Sequence, residues 1–400
     1  THFNYISDKI LILMNRSVLL LVDSFLPVIG GKQVLVHWLA TSLNRLDYEA
    51  RVLTGGLGLK NGLKQNYVVH RFPLRPRYLY VLRSTSFLLF ERMRCRPGLV
   101  HAHNAYPAGY IAACSKRVKN VPLVVTCHGV DVLTEPNIDY GIGLDPVLSR
   151  KVSYTLQMAD AIIANSEGMK DALLGWGVQK DKIHFIPNGV EIAPLTCESQ
   201  NVSLSNSNRK QKVILAIGKY RMVKGFEHLV KAVALVAENE AVKCILVGRG
   251  MEVLNPLINE LKIEDKIELV GETSDYLKLE PSNRLLGFYK MSDVYVSSSL
   301  SESFSNTILE SMSLELPVVA TATIGARGLI KDGITGLLSP VGNVRALADN
   351  ILMILRDNQL RARVVKNARE ESLNYSLERV AMQHIELYDK LLGFKGSAKR

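Results

Sequence analysis

Residues 212–237 read KVILAIGKYRMVKGFEHLVKAVALVA, and the way this run divides decides the fold. Its first part, KVILAIG (212–218), is a short apolar run rich in β-branched residues and reads as a buried strand. The glycine turn GKYRMVKG (218–225) follows with three cations, Lys219, Arg221 and Lys224. Then Phe226, Leu229, Val230, Val233 and Val236/Ala237 recur at the i, i+3, i+4, i+7 spacing of a helix packed on a sheet. Strand, turn and one-faced helix form half of a βαβ unit, and repeated units of this kind build parallel sheets covered by helices.

The same alternation extends in both directions. Downstream, KCILVG (243–248), KIELVG (266–271), DVYVSSS (293–299) and PVVATA (317–322) read as strands, and residues 344–392 as mostly helical. Upstream, VLLLV (18–22), ARVLT (50–54), LVHAH (99–103), PLVVTCH (122–128), ADAIIANS (159–166) and IHFIP (183–187) read as strands, with helix-like GKQVLVHWLATSLNRL (31–46) among the segments between them. The polar, pattern-poor run PLTCESQNVSLSNSNRKQK (194–212) separates the two series and reads as a linker. The expected organisation is an extension over 1–16, a Rossmann-like domain over 17–193, a linker over 194–211, a second Rossmann-like domain over 212–375, and a final helix in 376–400 that packs back toward the first domain. Ligands of such sheets sit at the carboxyl ends of the strands, so a cleft between two facing domains is the expected site.

Composition narrows the class. The chain has 400 residues, 47% of them apolar and 22% charged, which is the balance of a well-packed globular protein rather than a disordered one. Its formal net charge of +11 suits an anionic partner such as a phosphorylated substrate, a membrane surface or nucleic acid. The five cysteines are scattered without C-x-x-C spacing, which favours free thiols in a reducing cytoplasm over disulfides or zinc. The apolar run ILILMNRSVLLLV is broken by Asn15 and Arg16 and is too short to span a bilayer.

Several short motifs carry chemistry. SESFSNTILESM (301–312) places Glu302 and Glu310 eight positions apart around a helix start. Thr307-x-x-Glu310 fits a capping box, with Glu302 then merely solvated; the other reading is a sugar-nucleotide site. GKYRMVKG suits phosphate, because N–H groups at a helix start and nearby cations both favour an anion, although G-x-x-x-x-G-K-[ST] is absent. In FLPVIGGKQ (25–33), Gly30 and Gly31 either admit a ligand close to backbone or make a plain turn. HGVD (128–131) puts His128 at a strand's carboxyl end, as ligand contact or as structural hydrogen-bonding group. His101 and His103 end the neighbouring strand, but no carboxylate or cysteine completes a ligand set, so no metal is expected. VGRGMEV (247–253) imitates half a dinucleotide fingerprint, with Val253 where its third glycine belongs.

Together these segments resemble the retaining glycosyltransferases of the GT-B fold, family-4 type, and within them bacterial enzymes of surface-polysaccharide synthesis such as the teichuronic-acid glycosyltransferases. The resemblance covers most of 17–390 and is carried by DSFLPVIGG, HAHNAYPAG (101–109), HGVD, IPNGVE (186–191), GKYRMVKGFEHLVKA, SESFSNTILESMSLELPVVAT (301–321) and DGITGLLSP (332–340). It implies that Glu310 accepts hydrogen bonds from the donor ribose, that Glu302 lies beside the donor sugar, and that Ser303, Phe304, Ser305 and Asn306 meet sugar hydroxyls and phosphates. Lys219, Lys224, Gly30 and Gly31 would stabilise the diphosphate, and His128 would contact the transferred sugar. His128, Glu302 and Lys224 are thus the expected catalytic group. No cofactor is implied; the nucleotide sugar is a substrate, and this chain has no DxD sequence of the kind that holds a metal in other transferases. Three departures bear on donor identity: Lys219 stands where the family usually has Arg, Ser303 where Gly commonly follows the first glutamate, and Gly328 where many relatives have Glu.

The competing classes are a nicotinamide enzyme resting on the GRG turn, a sugar-nucleotide epimerase, and a non-catalytic sugar-nucleotide-binding protein. The expected partners are a nucleotide-sugar donor and a glycan or lipid-linked acceptor, with no nucleic acid. The stretch HRFPLRPRYLYVLRSTSFLLFERMRCRP (70–97) adds a membrane expectation, since it holds seven arginines and one acid interleaved with aromatic and aliphatic side chains. Arg75, Arg77, Arg92 and Arg94 are its expected contacts with the anionic inner face of the cell membrane, the alternative being a solvated basic helix face.

Overall fold

The computed structural model describes residues 16–28, 30–56, 65–72, 80–118, 120–192, 210–271 and 284–394. The chain divides into two compact units, one comprising the residues up to Gly189 and those from Leu377 onward, the other Val190–Ser376.

Among the described residues, the first unit holds a seven-stranded parallel sheet of order β3-β2-β1-β4-β5-β6-β7. These strands are β1 (Ser17–Val22), β2 (Glu49–Gly55), β3 (Val68–Phe72), β4 (Leu99–His103), β5 (Leu123–Thr126), β6 (Ala161–Ala164) and β7 (Ile183–Phe185). Every side chain of β1, β4, β5 and β6 is buried, which explains their continuous apolar runs: helices cover both faces of a parallel sheet. β3 was not evident in the sequence because it is an edge strand whose residues, apart from Phe72, are at least half-exposed or partly so, leaving no apolar run to read. Helix α1 (Gly31–Arg45) follows β1, and the last helix of this unit, Leu377–Leu392, buries Val380, Ala381, His384, Ile385, Leu387 and Tyr388. Arg16 ties its Asp389 to the start of β1 at 2.6 Å.

Among the described residues, the second unit holds a six-stranded parallel sheet of order β10-β9-β8-β11-β12-β13. Its strands are β8 (Lys212–Ile217), β9 (Val242–Val247), β10 (Ile267–Val270), β11 (Val294–Ser297), β12 (Val318–Thr321) and β13 (Leu337–Ser339). The helix predicted after β8 spans Phe226–Ala237 and buries Phe226, Leu229, Val230, Ala232, Val233 and Val236. Each of these side chains except Ala232 contributes about 1.5–3 kcal/mol by leaving water. β13, another edge strand, carries only three residues and was not read as a strand.

Val190–Ile192 fall in the second unit rather than at the end of the first, because Val190 donates to the Tyr375 carbonyl at 2.8 Å and pairs with Ser376 in a parallel bridge. The expected extension, but for Arg16, and nearly all of the expected linker lie outside the described residues, as do Arg75 and Arg77. Among the described residues no helix is long and apolar enough to cross a membrane.

Both strand orders reverse direction at their centre, between β1 and β4 in the first sheet and between β8 and β11 in the second. In parallel sheets of this kind ligands bind at the carboxyl ends of the strands beside such a reversal point.

Candidate functional site

In the second unit the two loops at the reversal point pack backbone on backbone. Gly225 adopts φ +59°, and a Cβ there would stand 2.3 Å from the Ser298 carbonyl oxygen, so the glycine is required both by conformation and by space. Leu300 donates to the Val223 carbonyl at 2.7 Å and Ser298 Oγ to the Lys224 carbonyl at 3.0 Å. This zipper sets Lys224 Nζ 2.7 Å from Glu302 Oε1, while Ser299 Oγ donates to Glu302 Oε2 at 2.9 Å. Thr321 on the next strand fixes Ser299 by donating to its carbonyl at 2.5 Å. Gly325 closes the loop from the other side: a Cβ there would lie 2.6 Å from Phe304 N and 2.8 Å from Glu302 O.

Glu310 sits on the following helix, Asn306–Ser313, about one turn from its start. The N-cap is Ser305, whose hydroxyl accepts from Ile308 N, so the Thr307–Glu310 capping box is absent. Glu310 Oε2 instead accepts from the Tyr289 hydroxyl at 2.5 Å, and Thr307 from Tyr295 at 2.6 Å. Burial pushes the Glu310 carboxyl up to about 7, against the opposing effect of the Tyr289 hydrogen bond. Ser303, Phe304 and Ser305 are buried and Asn306 partly so; Phe304 packs 6.4 Å from the Tyr375 ring. Of the three cations in the glycine turn, Lys224 joins Glu302, whereas Lys219 and Arg221 are exposed.

The GRG turn has a structural explanation. Gly248, at φ +147°, lies so close to Gly218 that a Cβ would stand 1.9 Å from its carbonyl oxygen. Tyr220 N donates to the Arg249 carbonyl at 2.9 Å. The glycines let this turn press on the cation-bearing turn; they do not open a dinucleotide loop.

The reversal point of the first sheet has a different character. His101 and His103 are fully buried, with ring centroids 4.4 Å apart, and His103 Nδ1 lies 3.2 Å from His128 Nε2. His101 Nδ1 meets the Tyr388 hydroxyl at 2.6 Å and its Nε2 meets Thr126 Oγ1 at 2.7 Å. Burial drives all of these imidazoles, and His384, toward the neutral form; His128 falls to about 3, helped by the nearby Lys32 ammonium. His128 is therefore a neutral hydrogen-bonding group at neutral pH. Its turn is anchored by buried Asp131, which accepts from Ala105 N at 2.7 Å and His128 N at 3.1 Å. Lys32 pairs with Asp23 at the start of α1. Gly30 has φ −178°, which any residue adopts; a Cβ there would meet only the movable end of Gln33. No cluster of metal-ligand side chains occurs among the described residues.

Arg92 corrects the membrane expectation. It is 2% exposed and donates to both the carbonyl and the hydroxyl of Ser115, so it joins two helices of the first unit instead of facing a surface. Arg94 is half-exposed, paired with buried Glu91 at 3.3 Å.

The residues that sequence reasoning missed are those that hold the motif residues: Tyr289, Ser299, Gly325, Asp131 and Lys32. HGVD and GGKQ did contain two of them, Asp131 and Lys32.

Two parallel Rossmann-like units of this topology match the GT-B fold. Anabaena HepE, solved in complex with UDP and glucose, superposes with a TM-score of 0.76 at 22% identity, over 94% of this chain and 99% of its own. Sucrose-phosphate synthase of Thermosynechococcus elongatus superposes with a TM-score of 0.80 at 20% identity, over 95% and 100%. The family description "Glycosyltransferase Family 4" matches residues 29–193 and "Glycosyl transferases group 1" matches 200–371. The chain belongs to this family of glycosyltransferases. Among curated relatives, the N-acetyl-alpha-D-glucosaminyl L-malate synthase of Bacillus anthracis is 24% identical over 92% of this chain and 95% of its own length. A D-inositol 3-phosphate glycosyltransferase of Corynebacterium urealyticum is 27% identical over 73% and 71%.

Proposed function

We propose that this glycosyltransferase moves a sugar from a nucleoside diphosphate sugar to a glycan or lipid-linked hydroxyl, with retention at the anomeric carbon. The observation that carries the reading is the pairing of Lys224 with Glu302 in the loops after β8 and β11, with Glu310 on the helix that follows. Glu310 would accept from a ribose diol, and Lys224 would meet a diphosphate oxygen. Glu302, fixed through both oxygens, would orient the donor sugar. As the anomeric C–O bond breaks, its electron pair goes to the departing phosphate, where Lys224 offsets the growing charge. The acceptor oxygen forms the new bond from the same face, and its proton passes to that phosphate oxygen, so no separate base is invoked. His128, neutral, would donate to or accept from a sugar hydroxyl without repelling positive charge at the ring. The UDP complexes of Anabaena HepE support a UDP sugar as the first donor to try.

The test is a panel of UDP-, GDP- and ADP-sugars scored by nucleotide release with lipid-linked and small anionic acceptors. The anionic arm follows from the malate and inositol phosphate in the relatives' names and from the net charge of +11. Acceptor-dependent release that persists in EDTA, with retained configuration by NMR, is expected. Release without acceptor indicates an epimerase or hydrolase, and binding without turnover a non-catalytic protein.

We also propose reversible contact with an anionic leaflet, through the helix Tyr80–Cys95. Leu82, Phe90 and Met93, at i, i+8 and i+11, are 65%, 54% and 64% exposed, and the exposed Arg83 and Arg94 flank them. Leu82→Ser with Phe90→Ser should abolish pelleting with phosphatidylglycerol vesicles and leave donor binding intact. Undiminished pelleting would make the helix face an ordinary solvated one.

A further inference from the structure

We propose that Tyr289 is a positioning residue for the donor: it holds one oxygen of Glu310 so that the other, still charged, faces a vicinal diol. The inference rests on the donor site proposed above and adds a residue that the Glu-x7-Glu pattern does not contain.

Tyr289 lies on the helix Arg284–Met291, just before β11, and is 4% exposed. Its ring packs in the core with Leu285, Phe288, Ile308 and Leu309, and stands 6.3 Å from the Tyr295 ring. A ring held in this way has little freedom, so its hydroxyl is aimed at Glu310 Oε2 before any ligand arrives. Among the described residues Oε1 has no hydrogen-bond partner, and Glu310 as a whole is partly exposed. The remaining ionisable groups on the elements around this helix are engaged elsewhere. Tyr295 donates to Thr307, Arg369 to the Ser313 carbonyl, and Arg361 approaches Asp293. Lys290, Arg327, Arg363, Lys366 and Glu370 are exposed. The Tyr289 hydroxyl is thus the polar contact that opposes the burial of this carboxylate.

A hydrogen bond to the charged form favours that form, so its removal must raise the carboxyl pKa further. Diol binding needs the carboxylate as acceptor. Loss of Tyr289 should therefore act through protonation, strongly at neutral pH and weakly in alkali.

The experiment titrates the Glu310 carboxyl by carbon NMR in ligand-free protein, with Glu310→Gln identifying the resonance, and measures binding of UDP, GDP and ADP from pH 6 to 9. Tyr289→Phe should move the Glu310 midpoint upward by about one pH unit. It should weaken the bound nucleotide severalfold at pH 7, and the loss should shrink toward pH 9. If Glu310→Gln weakens binding but Tyr289→Phe leaves both the midpoint and the affinity unchanged, the positioning role is wrong and the donor site stands. If Glu310→Gln leaves nucleotide binding unchanged at pH 9, the donor site itself fails, and with it the role of Tyr289.

Discussion

The two sheets reverse at equivalent points, yet the side chains at those points have opposite electrical character. In the first unit the strand ends carry a column of imidazoles, buried against one another and kept neutral. In the second they carry an ammonium–carboxylate pair and a second carboxyl group poised to titrate near neutrality. Topology supplies a reversal point in both cases; the loop residues decide what it can hold. A neutral column suits polar hydroxyls, whereas fixed charges suit a diphosphate and a diol. That division is what the proposed donor site in residues 212–313 requires.

The largest effect that can break this comparison is expected at Lys224. Lys224→Ala should lower kcat about 100-fold or more, the scale of losing one transition-state charge contact, with a smaller change in donor KM. The thermal midpoint must be followed alongside, since the change also leaves Glu302 without its counter-charge. A loss confined to KM would mean that Lys224 only binds, and the contrast between the units would weaken.

The motif residues of this site were legible because they cluster in sequence: a glycine turn after a strand, and two carboxylates around a helix start. Their supports were not. Tyr289 reaches Glu310 across 21 positions and Lys224 reaches Glu302 across 78, distances over which only the fold brings groups together. Arg92 misled for the reverse reason. An arginine in a basic helix ordinarily faces water, and nothing in its neighbours announces that the Ser115 carbonyl and hydroxyl will satisfy it in the interior. The central strands were plain as apolar runs, while the edge strands Val68–Phe72 and Leu337–Ser339 lacked them.

A smaller effect sharpens the comparison through stability. Glu310 holds its proton more tightly when folded, about 7 against the ordinary 4.5, so the unfolded chain releases that proton first as pH rises. The burden on the fold is absent below pH 4.5, grows between 4.5 and about 7, and is complete above that. Glu310→Gln should accordingly raise the thermal midpoint by a few degrees at pH 8 and by nothing at pH 4. An equal difference at both values would show that the carboxyl is not the source. His128 should show the opposite dependence: the fold keeps it neutral down to about 3 while the unfolded chain takes the proton below 6.5, so His128→Gln should relieve a burden that is present at pH 4 and absent at pH 8.

The most direct test of the donor site is calorimetric titration of the wild-type chain and Glu310→Gln with UDP, GDP and ADP at pH 8. Charge-assisted hydrogen bonds contribute about 1.5–3 kcal/mol each, so the nucleotide that binds wild type should bind the variant at least tenfold more weakly, with the fold retained. Equal affinity for the two proteins would contradict the assignment of Glu310 to the donor ribose, and with it the placement of the donor in the second unit.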